Sequence, residues 1–104
     1  MKIVINADFG GFGLSDECAR ALGAVVEDYD CYSIHHWPDG GDSWDDRNQR
    51  TNPKLIELME TKGADWCGDC SADLRVVEIP DDVEWVIQEY DGREWVAEKH
   101  REWH

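Results

Sequence analysis

The chain has 104 residues, 41% of them hydrophobic, with nine glycines and three prolines, a mixture that fits one ordered domain and excludes a disordered or collagen-like chain. Twenty-four Asp and Glu against ten Lys and Arg give a net charge of −14, which excludes a nucleic-acid binder that neutralises phosphates with a basic face. No apolar run approaches the ~20 residues that span a bilayer, and Met1-Lys2-Ile3-Val4-Ile5-Asn6 turns polar too early for an export signal, so a soluble cytoplasmic protein is expected.

Lys2–Asn6 is predicted as a short strand, apolar on both faces through Ile3, Val4 and Ile5 and therefore central. The glycine-rich stretch Phe9 to Leu14 lacks both the GxGxxG order and the Walker ending, so it is not a nucleotide loop. Ser15 is the predicted N-cap of an amphipathic helix from Asp16 to about Glu27, with Asp16 and Glu17 in its first turn and Cys18, Leu22, Val25 and Val26 at helical spacing. Tyr32 to Trp37 reads as a strand with Ile34 inward. Pro38-Asp39-Gly40-Gly41-Asp42 then breaks regular structure, and residues 38–50 are expected as a solvated acidic loop.

Asn52 and Pro53 open a second helix, Pro53 to Lys62, with Leu55, Ile56, Leu58 and Met59 as its apolar stripe and Gly63 at C′. A loop carrying Cys67 and Cys70 leads to a strand from Leu74 to Ile79, and Pro80-Asp81-Asp82 turns the chain. Asp91-Gly92 closes a hairpin of Glu84 to Tyr90 and Arg93 to Glu98, in which Tyr90 faces Arg93 and Glu89 faces Glu94. This order predicts an α+β domain over residues 1–104, with a mixed or antiparallel sheet of about four or five strands, two helices on one face, and a C-terminal hairpin. Residues 99–104 are expected as a flexible tail.

Four cysteines without an export signal favour free thiols or a metal over disulfides. Trp66-Cys67-Gly68-Asp69-Cys70 resembles the thioredoxin active-site motif, but the strand expected from Leu74 leaves no room for the helix that would activate the first thiol. Cys67 and Cys70 have the spacing of one zinc-ligand pair, and Cys31 and His35 are candidates to complete a tetrahedron, with Cys18 and His36 as substitutes. A second tight pair is missing. Cys18 as a core residue and Cys67 and Cys70 on an exposed loop is the favoured reading, so no cofactor is expected and zinc is the alternative. His35 and His36 in an acidic stretch read as surface residues, no Ser or Cys stands in an elbow sequence, and an enzyme is not expected.

Lys2-Ile3-Val4-Ile5-Asn6 with Gly10-Gly11-Phe12-Gly13-Leu14-Ser15 resembles the opening of a group of small bacteriophage and prophage proteins. Asn52-Pro53-Lys54-Leu55-Ile56, the run from Ala72 to Trp85, Glu89-Tyr90-Asp91-Gly92 and Trp95-Val96-Ala97-Glu98 are similar to the same group. Residues 27–50 match it poorly, and Cys67 and Cys70 are not part of its pattern. The resemblance implies a viral context and supplies no catalytic residues.

Glu27 to Asp46 and Glu78 to Asp91 together hold thirteen of the 24 acids and no Lys or Arg. Such stretches, with tryptophans among them, suit a protein that occupies the basic groove of a nucleic-acid enzyme, because duplex DNA carries one negative charge per ~1.7 Å and Trp serves well as an interface anchor. The expected partner is a basic host protein such as a nuclease or DNA-binding effector. The expected contact residues are Trp37, Asp39, Asp42, Trp44, Asp45, Asp46, Asp81, Asp82 and Glu84, with no direct nucleic-acid or membrane binding. The alternative is a highly soluble or halophilic-type acidic protein.

Overall fold

Two of the sequence's clearest local signals sit at helix starts, and both form as expected. The computed structural model describes residues 1–9, 11–40, 43–70 and 72–98, and of residues 43–45 the backbone alone. The Ser15 hydroxyl accepts from the Cys18 N–H at 3.1 Å and caps α1 (Asp16–Ala21). The Asn52 side chain accepts from the Lys54 N–H at 2.9 Å and caps α2 (Pro53–Thr61), which begins on Pro53. A third, short helix, α3 (Ala64–Cys67), follows Gly63, which has φ +92° and ψ 163°, a positive-φ conformation that favours glycine but is not the αL form of a helix cap.

α1 is shorter than its sequence pattern. It stops at Leu22, Gly23 takes φ +102°, and Val25–Asp28 become strand β2, paired antiparallel with β3 (Ser33–His36). The helical spacing of Val25 and Val26 is overridden because β-branched residues after a left-handed glycine fit an extended chain. In β3 it is His35, on the face of its partner Val26, that is buried; Ile34 is only half-buried. A 3₁₀ helix, Ser43–Gln49, occupies most of the segment expected to be loop.

The α+β architecture is built from three two-stranded antiparallel ladders: β1 (Lys2–Asn6) with β4 (Leu74–Glu78), β2 with β3, and β5 (Trp85–Tyr90) with β6 (Arg93–Glu98). The second edge of β1 explains why the strands do not join into one sheet. There the Val4 N–H donates to the Arg50 carbonyl at 2.9 Å, the Arg50 guanidinium donates to the Val4 carbonyl at 3.2 Å, and the Asn6 N–H donates to the Glu94 carboxylate at 2.9 Å. Loop backbone and two side chains satisfy groups that a third strand would otherwise pair. The helices accordingly pack on different ladders, α1 against β2 and β3, α2 against β1 and β4.

Asp91 at φ +50° and Gly92 at φ +91° form the two-residue turn of β5–β6, with Tyr90 opposite Arg93 and Glu89 opposite Glu94 as the sequence indicates. The like-charge pair is relieved because Glu94 is buried against Arg50, leaving Glu89 exposed to solvent. The interior gathers Val4, Leu14, Cys18, Trp37, Leu55, Leu58, Cys67 and Leu74 in one cluster. Among the described residues no helix is long and apolar enough to cross a membrane. Residues 99–104 lie outside the described part of the chain.

Candidate functional site

Alternation along β3 and the residue after it places Ser33, His35 and Trp37 on one side of the strand, and each finds a carboxylate. His35 Nδ1 lies 3.0 Å from Asp46 Oδ2 in the 3₁₀ helix, and Nε2 lies 2.9 Å from Asp16 Oδ1 in the first turn of α1. The Ser33 hydroxyl donates to the same Asp16 oxygen at 2.6 Å, and the Trp37 indole N–H donates to Asp46 Oδ1 at 2.8 Å. His35 and Asp46 are 5% and 4% exposed. An ionised carboxylate only accepts, so a hydrogen bond at both ring nitrogens requires two protons shared among the three groups. The imidazole is therefore committed on both sides. It clamps α1, β3 and the 3₁₀ helix together.

Burial pushes the Asp46 carboxyl above the usual carboxylate range, opposed by His35 and the Trp37 N–H. Asp16, nearer solvent, is held below that range by the Ser33 hydroxyl first and by His35 second. A cavity of about 540 Å³ opens beside the clamp, with Phe12, Tyr32, Asp69 and Cys70 among its walls. On this wall the Asp69 carboxylate packs over Gly13, in the space a Cβ there would take.

The cysteines divide differently from the expected zinc set. Cys67, expected on an exposed loop, is fully buried at the end of α3 beside Cys18. Burial raises the Cys18 thiol to about 12 and also raises Cys67, so both stay protonated and pack as small apolar side chains. Cys31 and Cys70 are exposed, and His35 is held by carboxylates. Among the described residues no group of three or more His, Cys, Asp or Glu side chains is arranged to hold a metal ion.

The expected contact residues also separate. Asp39, Asp81, Asp82 and Glu84 are exposed. Trp37 and Asp46 are not surface residues: they are hydrogen-bonded to one another inside the fold, which corrects their assignment to an interface. Asp42 and the side chains of Trp44 and Asp45 lie outside the described part of the structure. Among the described residues the exposed aromatics are others: Phe9, Tyr29, Tyr32, Tyr90 and Trp95. Tyr29 and Tyr32 sit in the β2–β3 connection among Glu27, Asp28 and Asp30, and Tyr90 and Trp95 sit on β5–β6 near Glu89 and Asp91. Compared with protein-family models, with curated proteins and with solved structures, the chain matches none.

Proposed function

We propose that the chain is a non-catalytic binding protein of phage type that blocks a basic, nucleic-acid-handling host protein in the host cytoplasm. The observation that carries this reading is the pairing of acidic surface with exposed aromatic rings on two hairpins. Glu27, Asp28, Asp30 and Asp39 are exposed on or next to β2–β3, and Asp81, Asp82, Glu84, Glu89 and Asp91 on or next to β5–β6, where the exposed Arg93 opposite Tyr90 is the one basic residue within the two strands. Arg20 approaches Asp28 at 3.6 Å, and the N-terminal ammonium meets Asp81 at 2.5 Å. Neither contact offsets a charge of −14. Carboxylates arrayed this way steer a cationic partner and disfavour nucleic acid, while exposed aromatic rings supply area for a close contact.

The test uses charge reversal at exposed sites. Replacing Asp39, Asp81, Asp82 and Glu84 together with lysine is expected to weaken binding to basic DNA-binding nucleases by on the order of a hundredfold at low salt, with the circular dichroism spectrum unchanged. Binding by the fourfold variant as tight as the parent's would remove the basis of the proposal.

A further inference from the structure

We infer that the tip of the β2–β3 hairpin is an arginine-recognition surface, where the tyrosine pair receives guanidinium groups of the basic partner. This rests on the function proposed above and specifies where and through which side chain the partner is held. The connection from Tyr29 to Tyr32 is closed by the Tyr29 N–H donating to the Tyr32 carbonyl at 2.8 Å. The two rings stack with centroids 4.8 Å apart and planes 19° from parallel, yet Tyr29 is 45% and Tyr32 61% exposed. Asp30 and Cys31 are the central residues of this turn, and the two rings stand across its base, where they cover each other and leave much of their area facing solvent.

The carboxylates around the rings are set in place. The Tyr29 hydroxyl donates to Glu27, and His36 Nε2 lies 2.9 Å from the other Glu27 oxygen, so this side chain is held beside the stack. Asp28 and Asp30 flank it, and the outward face of the ladder continues through Val25, 69% exposed, and half-buried Ile34. A planar guanidinium fits this combination: it stacks on an aromatic face and donates in a fork to carboxylates. A lysine ammonium offers the charge without the plane. A second copy of the chain is the wrong occupant, because it would bring an identical acidic tip against this one at a net charge of −14.

The probes are nona-arginine and nona-lysine peptides, titrated at about 50 mM salt into the parent, into a Tyr29→Ser/Tyr32→Ser variant and into an Asp81→Lys/Asp82→Lys variant. The parent is expected to prefer arginine over lysine. The tyrosine variant, altered only at exposed rings, is expected to lose about fivefold or more in arginine affinity and to fall to the lysine level. The aspartate variant is expected to weaken both peptides alike and keep the preference. Undiminished arginine binding by the tyrosine variant, or loss of the preference in the aspartate variant, overturns the inference while leaving the proposed function standing. A parent dimer that the tyrosine variant abolishes would assign the tip to a second copy and also overturn it. Failure of the parent to bind either peptide contradicts both.

Discussion

Replacing Arg50 with methionine is expected to cost about 3–5 kcal/mol of unfolding free energy, a large part of what a domain of this size has. Arg50 and Glu94 form a two-pronged ion pair at 2.7 and 2.5 Å, with side chains 9% and 1% exposed. The guanidinium also lies 4.3 Å from the centre of the Phe12 ring. Without it the Glu94 carboxylate would stay buried with only the Asn6 N–H as donor, and an uncompensated buried charge is among the most destabilising of single defects. The pair also ties β5–β6 to β1, together with the Asn6 amide, which donates to the Gly92 carbonyl at 2.7 Å. Urea unfolding measures the loss. The double variant Arg50→Met/Glu94→Leu is expected to recover part of it, since no charge remains buried, but not all, because the Asn6 N–H loses its acceptor. A loss below about 1 kcal/mol in the single variant would mean that the pair behaves as a surface contact.

His35→Ala is the second large effect, about 2–4 kcal/mol near pH 7, with a definite pH dependence. Burial raises the folded-state value of Asp46 above the ordinary one, so its contribution is fully present below the ordinary carboxylate pKa and is lost as pH rises through the raised value. Removing His35 removes a group that opposes this rise, and the variant suffers most where Asp46 must be ionised. Asp16 runs the other way. Its lowered folded-state value stabilises above the ordinary pKa and is lost as pH falls through the lowered one, and His35 supplies part of that. Both effects narrow the gap between parent and variant as pH falls from about 7 to about 4. Unfolding curves at the two pH values check it, and a gap that widens on acidification would contradict the clamp.

The parts of the fold legible in the sequence were those set within a few residues. The caps Ser15 and Asn52, Pro53 at a helix start, and the Asp91-Gly92 turn each act through neighbouring backbone, and each formed. The end of α1 was less legible because Val25 and Val26 fit a helical stripe, and only the left-handed Gly23 decides against it. The clamp was not legible. Ser33, His35 and Trp37 alternate as one strand face should, which was the available signal. What buries them is Asp46, a residue from an acidic run that looks uniformly solvated until Trp37 and His35 supply its hydrogen bonds. Likewise nothing local marks Glu94, among so many acids, as the one that meets Arg50.

The central claim is that this acidic surface competes with nucleic acid for a basic protein. Its most direct test is displacement of labelled duplex DNA from a basic DNA-binding nuclease by the parent chain, at about 50 and about 200 mM salt. Displacement at the lower salt that weakens steeply at the higher is the expected result. DNA that stays fully bound at low salt, whatever excess of the chain is added, would contradict it.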